Sequence, residues 1–217
     1  MTSNPVAPLS LPGKTVVFDY GEVISRTPAD SVRDRLLALA GATDIDAFWA
    51  SYGRHRHALD GGSLSVVDYW RTLASENGLD LSITRIHELW AIDFPAWIDP
   101  EPGTVDVIAA LHEGGTPLAI LSNAGFDYAS PLRFSPVGSL FDHVYVSAEM
   151  YDLKPNASIY RTVLDELGIE PSAMVFIDNK AENIEGAQEL GITGHVFTSP
   201  AGLESFLRGL AAPAPSV

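Results

Sequence analysis

Five short apolar runs punctuate the chain: Thr15-Val16-Val17-Phe18, Leu118-Ala119-Ile120-Leu121, His143-Val144-Tyr145-Val146, Met174-Val175-Phe176-Ile177 and His195-Val196-Phe197. They are continuous rather than alternating, the pattern of strands buried on both faces of a parallel sheet. Between them, apolar residues recur at helical spacing. Val105, Ile108 and Leu111 form one stripe closed by Gly114-Gly115; Ile159, Val163, Leu164 and Leu167 form a second closed by Gly168; Ile184, Ala187 and Leu190 form a third closed by Gly191. Glycine just beyond a periodic segment is a helix-stop signal. Strands alternating with helices predict an α/β fold, a Rossmann-like parallel sheet with helices on both faces.

Residues 28–98 break this rhythm. Their apolar residues fall on four successive helical faces (Val32, Leu36, Leu37 and Leu39; Ile45, Phe48, Trp49 and Tyr52; Val66, Tyr69, Trp70 and Leu73; Ile83, Ile86, Leu89 and Trp90), with no strand pattern. A small α-helical unit inserted after the first strand is expected, its aromatics serving as bundle core and as packing against the main domain. The division is then 14–27 and 99–210 as the core domain, 28–98 as a helical cap, and 1–13 and 211–217, rich in Pro, Ser and small residues, as flexible termini.

Composition narrows the function. The 217 residues are 46% hydrophobic and 19% charged, a globular balance. Thirteen basic residues against 28 acidic give a net charge of −15, a field that repels nucleic acid and anionic membrane surfaces. The absence of cysteine excludes disulfides, thiolate metal sites and a Cys nucleophile. No apolar run approaches the roughly 20 residues of a membrane span, and residues 1–13 lack the pattern of a signal peptide, so a cytoplasmic location is expected. Nothing in the sequence sets an oligomeric state.

The chemistry gathers at strand ends. Asp19 follows the first run, Ser122-Asn123 the second and Asp178-Asn179 the fourth, with Lys154-Pro155 after the third. In an open parallel sheet ligands bind beyond the carboxyl ends of the strands, where these residues would converge. In order and context they resemble the haloacid dehalogenase-like (HAD) hydrolase superfamily over residues 14–200. The motifs are Val-Val-Phe-Asp19-Tyr20-Gly21-Glu22-Val23-Ile24; Ile120-Leu121-Ser122-Asn123; Asp152-Leu153-Lys154-Pro155; and Phe176-Ile177-Asp178-Asn179-Lys180-Ala181-Glu182-Asn183-Ile184. The inserted helices are similar to the small cap of its sugar-phosphate phosphatases, and Gly two residues after the first Asp is similar to a glucose-1-phosphate phosphatase branch.

The resemblance implies a Mg²⁺-dependent phosphatase of a small phosphate ester. Asp19 would be the nucleophile forming an aspartyl-phosphate. Ser122, Asn123 and Lys154 would hold the phosphoryl group, and Asp19, the Gly21 carbonyl, Asp178 and Asn179 would hold the metal. Two departures stand out. Gly21 occupies the position of the usual general acid, leaving Glu22, water or the substrate to supply the proton. Asn179 stands where a second acid is common, so weak Mg²⁺ binding is expected. Asn183 is expected to brace the fourth motif.

Alternatives are a 2-haloacid dehalogenase using the same nucleophile, and a catalytically weak module that binds phosphate esters. The basic cluster Arg54-His55-Arg56-His57 offers Arg54 and Arg56 as substrate-binding residues. Its other reading is a solvated helix face neutralising acids such as Asp60. The turn Asp60-Gly61-Gly62-Ser63 is a candidate substrate-facing loop.

Overall fold

A computed structural model describes residues 7–211 of the chain. Strand β1 (Thr15–Phe18) is followed by five helices: α1 (Asp30–Ala40), α2 (Ile45–Arg54), α3 (Arg56–Asp60), α4 (Val66–Glu76) and α5 (Ile83–Ala96). Helix α6 (Pro102–Glu113) leads into β2 (Leu118–Ser122), then α7 (Phe126–Phe134), β3 (His143–Val146), α8 (Ser147–Met150) and α9 (Ala157–Leu167). The chain closes with β4 (Met174–Asp178), α10 (Ala181–Gln188), β5 (Thr193–Val196) and α11 (Pro200–Ala211).

All five strands are parallel, in the order β3-β2-β1-β4-β5. Successive side chains of a strand point to opposite faces, and the core divides accordingly. Val16, Phe18, Leu118, Ile120, Val175 and Ile177 pack with α6, α7 and α11 on one face. Val17, Ala119, Leu121, Met174 and Phe176 pack with α9 and α10 on the other. The three inner strands are buried throughout, as their apolar runs require. The edge strands are not. His143 is exposed and Val144 half-buried in β3, and β5 spans Thr193–Val196 rather than the run His195-Val196-Phe197. An edge strand has a neighbour on one side only, so covering helices shield it less.

Helices α1–α5 share a separate buried cluster built on Leu36, Phe48, Tyr69, Trp70, Leu73, Ile86 and Leu89. Asp44, Ser65 and Ser82 cap α2, α4 and α5 by accepting from Ala47, Asp68 and Arg85 backbone N–H groups. The segments entering and leaving this group run side by side: Arg26 N–H donates to Asp99 O and Glu101 N–H to Ile24 O, each at 2.8 Å. The helices contact the core beside the sheet's carboxyl end. Trp90 Nε1 donates to Asp127 Oδ2 at 2.7 Å and Ser147 Oγ to Asp60 O at 2.5 Å. Gly62 sits there at φ +76°, so close to the core that a Cβ would lie 2.5 Å from Ala148 O.

The expectation of a flexible end at 1–13 fails within the described part. Leu9 and Leu11 are buried in the core, and Leu9 N–H donates to Ala110 O, because the segment covers apolar surface of α6. At the other end Ala211 is the last residue of α11 and packs against the core. The remainder of both termini lies outside the described residues.

Candidate active site

Strand register brings the site together. Phe18 of β1 is level with Ile120 of β2 and Ile177 of β4. One residue further along these strands stand Asp19, Leu121 and Asp178. The Lys154 ammonium bonds to one oxygen from each, donating at 2.8 Å to Asp19 Oδ1, Leu121 O and Asp178 Oδ2. Lys154 is 4% exposed and Asp178 fully buried. A single buried cation therefore ties three neighbouring strand ends together.

Burial and charge oppose each other in this cluster. Burial pushes the Asp19 carboxyl up to about 6, against the downward pull of Lys154 and with a further push from Asp178. Burial works to lower the Lys154 pKa, but Asp19 and Asp178 together carry it above its ordinary value, so it stays charged.

Supporting residues fix these groups. Asn123 and Lys154 clasp reciprocally: Asn123 Nδ2 donates to Lys154 O and Lys154 N–H to Asn123 Oδ1, both at 3.0 Å. Asn123 thus positions the lysine as well as lining the cavity. Asp178 Oδ1 accepts from Lys180 N–H at 2.8 Å, and its Oδ2 from Asn183 Nδ2 at 2.9 Å. Asn183 is itself held by Tyr160, whose hydroxyl donates to Asn183 O at 2.7 Å. This is the bracing role its position in the fourth motif suggested. Ser122 ends β2, is buried, and lines a small recess with Gly21, Asn123 and Arg56.

Gly21 is not in a left-handed conformation, and a Cβ there would meet nothing within 4 Å. Neither backbone nor space demands glycine. The left-handed residue is the next one, Glu22, at φ +59°, a conformation uncommon for non-glycine residues and frequent at functional sites. Its carboxylate lines the cavity, accepting from Thr27 Oγ1 at 2.9 Å and from Asn179 Nδ2 at 3.0 Å. A carboxylate only accepts, so the Asn179 amide must turn its NH₂ toward Glu22. Its carbonyl oxygen is then left buried without a partner.

That orphaned oxygen bears on a metal. Among the described residues no three Asp, Glu or His side chains gather as a metal cluster. The available set is instead two carboxylates, Asp19 and Asp178, the Gly21 carbonyl and the unpartnered Asn179 oxygen. All are hard oxygen donors of the kind Mg²⁺ takes. They fit such an ion, with one formal charge fewer than a second Asp would bring and with the Glu22 carboxylate beside them.

The cavity holds about 250 Å³. It is lined by Asp19, Lys154 and Asn183 from the strand ends and the chain after them, and by Tyr52, Arg56, Asp60 and Trp97 from the helical segment. The structure separates the two candidate arginines. Arg56 reaches the cavity and pairs with Asp60 at 3.1 Å. Arg54 does not; it is 61% exposed and pairs with Glu76 at 3.0 Å, as the solvated-face reading of the cluster requires. Within the candidate loop only Asp60 reaches the cavity, while Gly62 packs on Ala148. Burial pushes the Asp60 carboxyl up to about 6 although Arg56 and Lys180 pull it down. Lys180, exposed, also lines the rim.

Sequence reasoning took Tyr52 and Trp97 only for packing aromatics. The available signal was Tyr52 lying four residues before Arg56, one turn away along nearly continuous helix. Trp97 Nε1 donates to Tyr52 Oη at 3.2 Å, and Tyr52 in turn donates to Asp93 at 2.7 Å.

Known proteins are similar to this chain in sequence and fold. D-Ribitol-5-phosphate phosphatase of Bacteroides thetaiotaomicron is 26% identical over 187 residues, 82% of this chain and 88% of its own. Phosphoglycolate phosphatase of Salmonella typhi is 26% identical over 91 residues, 42% of this chain and 36% of its own. A HAD-family enzyme of Bacteroides thetaiotaomicron, crystallised as an aspartate-to-alanine variant with magnesium and inorganic phosphate, superimposes with a TM-score of 0.67 at 22% identity, covering 84% of this chain and 92% of the other. An L-2-haloacid dehalogenase superimposes at 0.70 with 21% identity, covering 90% and 98%; both likenesses establish the fold. The haloacid dehalogenase-like hydrolase model matches residues 14–191, the span that carries every strand end just described save β5's. The chain belongs to the haloacid dehalogenase-like hydrolase family.

Proposed function

We propose that the protein is a phosphatase of small phosphate esters, acting through Asp19. The observation that carries this reading is the buried Lys154 ammonium bonded at 2.8 Å to both Asp19 and Asp178 at the end of the sheet. A fixed cation beside a carboxylate nucleophile offsets the repulsion between that nucleophile and an incoming phosphate dianion. Asp19 attacks phosphorus, the P–O bond to the leaving group breaks, and water then cleaves the aspartyl-phosphate to release inorganic phosphate. Ser122 and the loop backbone after β2 receive the phosphoryl oxygens. Asp19, the Gly21 carbonyl, Asp178 and Asn179 would hold Mg²⁺, which supplies further neutralisation of phosphoryl charge when bound. Relatives that are phosphatases of ribitol 5-phosphate and phosphoglycolate support the substrate class. The helical segment serves as a cap, its wall of Tyr52, Arg56, Asp60 and Trp97 facing the leaving group.

The test is a panel of phosphate esters, with 2-chloropropionate as the dehalogenation arm, assayed with and without Mg²⁺. Asp19→Asn should abolish phosphate release while leaving the melting temperature within a few degrees. Wild-type rates in Asp19→Asn, or chloride release without phosphate release in the wild type, would refute the reading.

A further inference from the structure

A second cavity of about 270 Å³ adjoins the reaction cavity. Its walls include Val32 and Leu36 of α1, Trp49 of α2, and Trp97, and it shares Glu22, Tyr52 and Trp97 with the first cavity. Its lining is largely apolar and aromatic. Several polar groups that reach it have contacts of their own: Asp93 Oδ1 accepts from Tyr52 Oη, Glu22 accepts from Thr27 and Asn179, and the Arg33 guanidinium lies 4.2 Å from the centre of the Trp49 ring. An apolar occupant can therefore enter with those protein contacts left in place.

We propose that this second cavity seats the leaving group of the substrate, and that the leaving group is an aromatic ring: the protein acts on aryl phosphate monoesters. The inference rests on the phosphatase reading above and names its substrate class. Three observations converge on it. Phosphoryl transfer places the leaving oxygen roughly in line with, and opposite to, the attacking one. Asp19 lines the first cavity together with Tyr52 and Trp97, the residues that also wall the second, so a leaving group set against those two aromatics lies beside it. The volume suits one substituted ring, and flat aromatic walls match a flat ligand. Finally, Gly21 places no proton donor at the position of the usual acid, although space is open there. A phenolate leaves as a stabilised anion and does without one. The balance is simple: Asp19 gains the phosphoryl group, the aryl C–O bond stays intact, and the phenolate takes its proton from water after departure.

The decisive experiment separates ring binding from leaving-group chemistry by using probes that do not react. Calorimetry in Mg²⁺ buffer would measure inorganic phosphate, methylphosphonate and phenylphosphonate against wild type, Val32→Phe and Val32→Trp. Val32 is half-buried and lies outside the catalytic machinery, and the two variants fill the second cavity to different degrees. Circular dichroism would confirm their fold. Wild type should bind phenylphosphonate at least about tenfold more tightly than methylphosphonate, the gain expected from burying a ring. The preference should fall in Val32→Phe and vanish in Val32→Trp, with inorganic phosphate unchanged in all three. Equal affinities for the two phosphonates in the wild type, or a phenyl preference that survives in both folded variants, would overturn the proposal while leaving the phosphatase reading intact. Failure to bind any of the three probes, with no ester turned over, would instead remove the phosphatase reading and this proposal with it.

Discussion

Replacing Lys154 by Met tests the electrostatic heart of the site. Met keeps an unbranched stem of similar length and a sulfur that tolerates an aromatic neighbour, here Phe176, whose ring centre lies 5.3 Å from Nζ. The change therefore removes charge with little loss of packing. The ammonium makes three bonds at 2.8 Å, two of them to buried carboxylates. Removing one partner of a buried ion pair typically costs about 3–5 kcal/mol, a large share of a total stability of about 5–15 kcal/mol. Part of the loss should depend on pH. Burial already pushes Asp19 up to about 6, and Lys154 is the main force holding it down. Without that pull the carboxyl rises further. A carboxyl raised in the folded state contributes stability that is complete below its unfolded value and is lost as pH rises through the folded value. Urea denaturation in metal-free buffer should show a loss of about 3–5 kcal/mol at pH 8, shrinking toward about 1–3 kcal/mol at pH 5. The residue at pH 5 reflects the Leu121 carbonyl left without its donor. A loss below about 1 kcal/mol at pH 8, or one equal at both pH values, would refute the assignment of Lys154 as the counter-charge.

Three other outcomes follow from the same geometry. Gly21→Asp should fold with a nearly unchanged melting temperature, since its Cβ meets nothing within 4 Å and its φ is not left-handed. It should raise kcat on an alkyl phosphate by about 100-fold or more while changing an aryl phosphate little; a folded variant without that selectivity would point to Glu22 as the working acid. Arg56→Ala should raise KM for a phosphate ester about tenfold, the magnitude of one charge-assisted contact, whereas Arg54→Ala should leave it unchanged; equal effects would contradict the separation of the two side chains. His195 stacks on Phe206 with ring centres 4.2 Å apart and buries an unpartnered Nε2, and burial lowers its pKa. Its unfolded form binds protons more readily, so stability is lost as pH falls through the ordinary histidine range. His195→Phe should therefore lose less melting temperature than wild type between pH 7.5 and 5, and equal losses would exclude His195 as a source of acid sensitivity.

The architecture and the core of the site were readable along the chain for a common physical reason. A strand buried on both faces must be a continuous apolar run, and a polar residue ending such a run stands at the edge of the sheet. Thr15–Phe18, Leu118–Ser122 and Met174–Asp178 obey this, so Asp19, Ser122 and Asp178 announced their strands, and Asp19 and Asp178 their meeting place. Asn183 was legible as a brace because its partner Asp178 is only five residues away.

What the tertiary structure decided depends on partners remote in sequence. The Asn179–Glu22 bond spans 157 residues, and nothing local to either residue signals it. Pairing alone made His143 and Val144 edge positions, and docking against α6 alone turned Leu9 and Leu11 into core. The second cavity exists because α1, α2 and the chain after α5 fold over the loop after β1. Arg54 and Arg56 make the point most directly. They are the same residue type, two positions apart in one basic cluster, and composition treats them alike. Two steps along a helix turn a side chain by about 200°, so when one arginine faces the cavity and Asp60, the other faces outward to Glu76. Only the docking of the helices on the sheet determines which of the two is which.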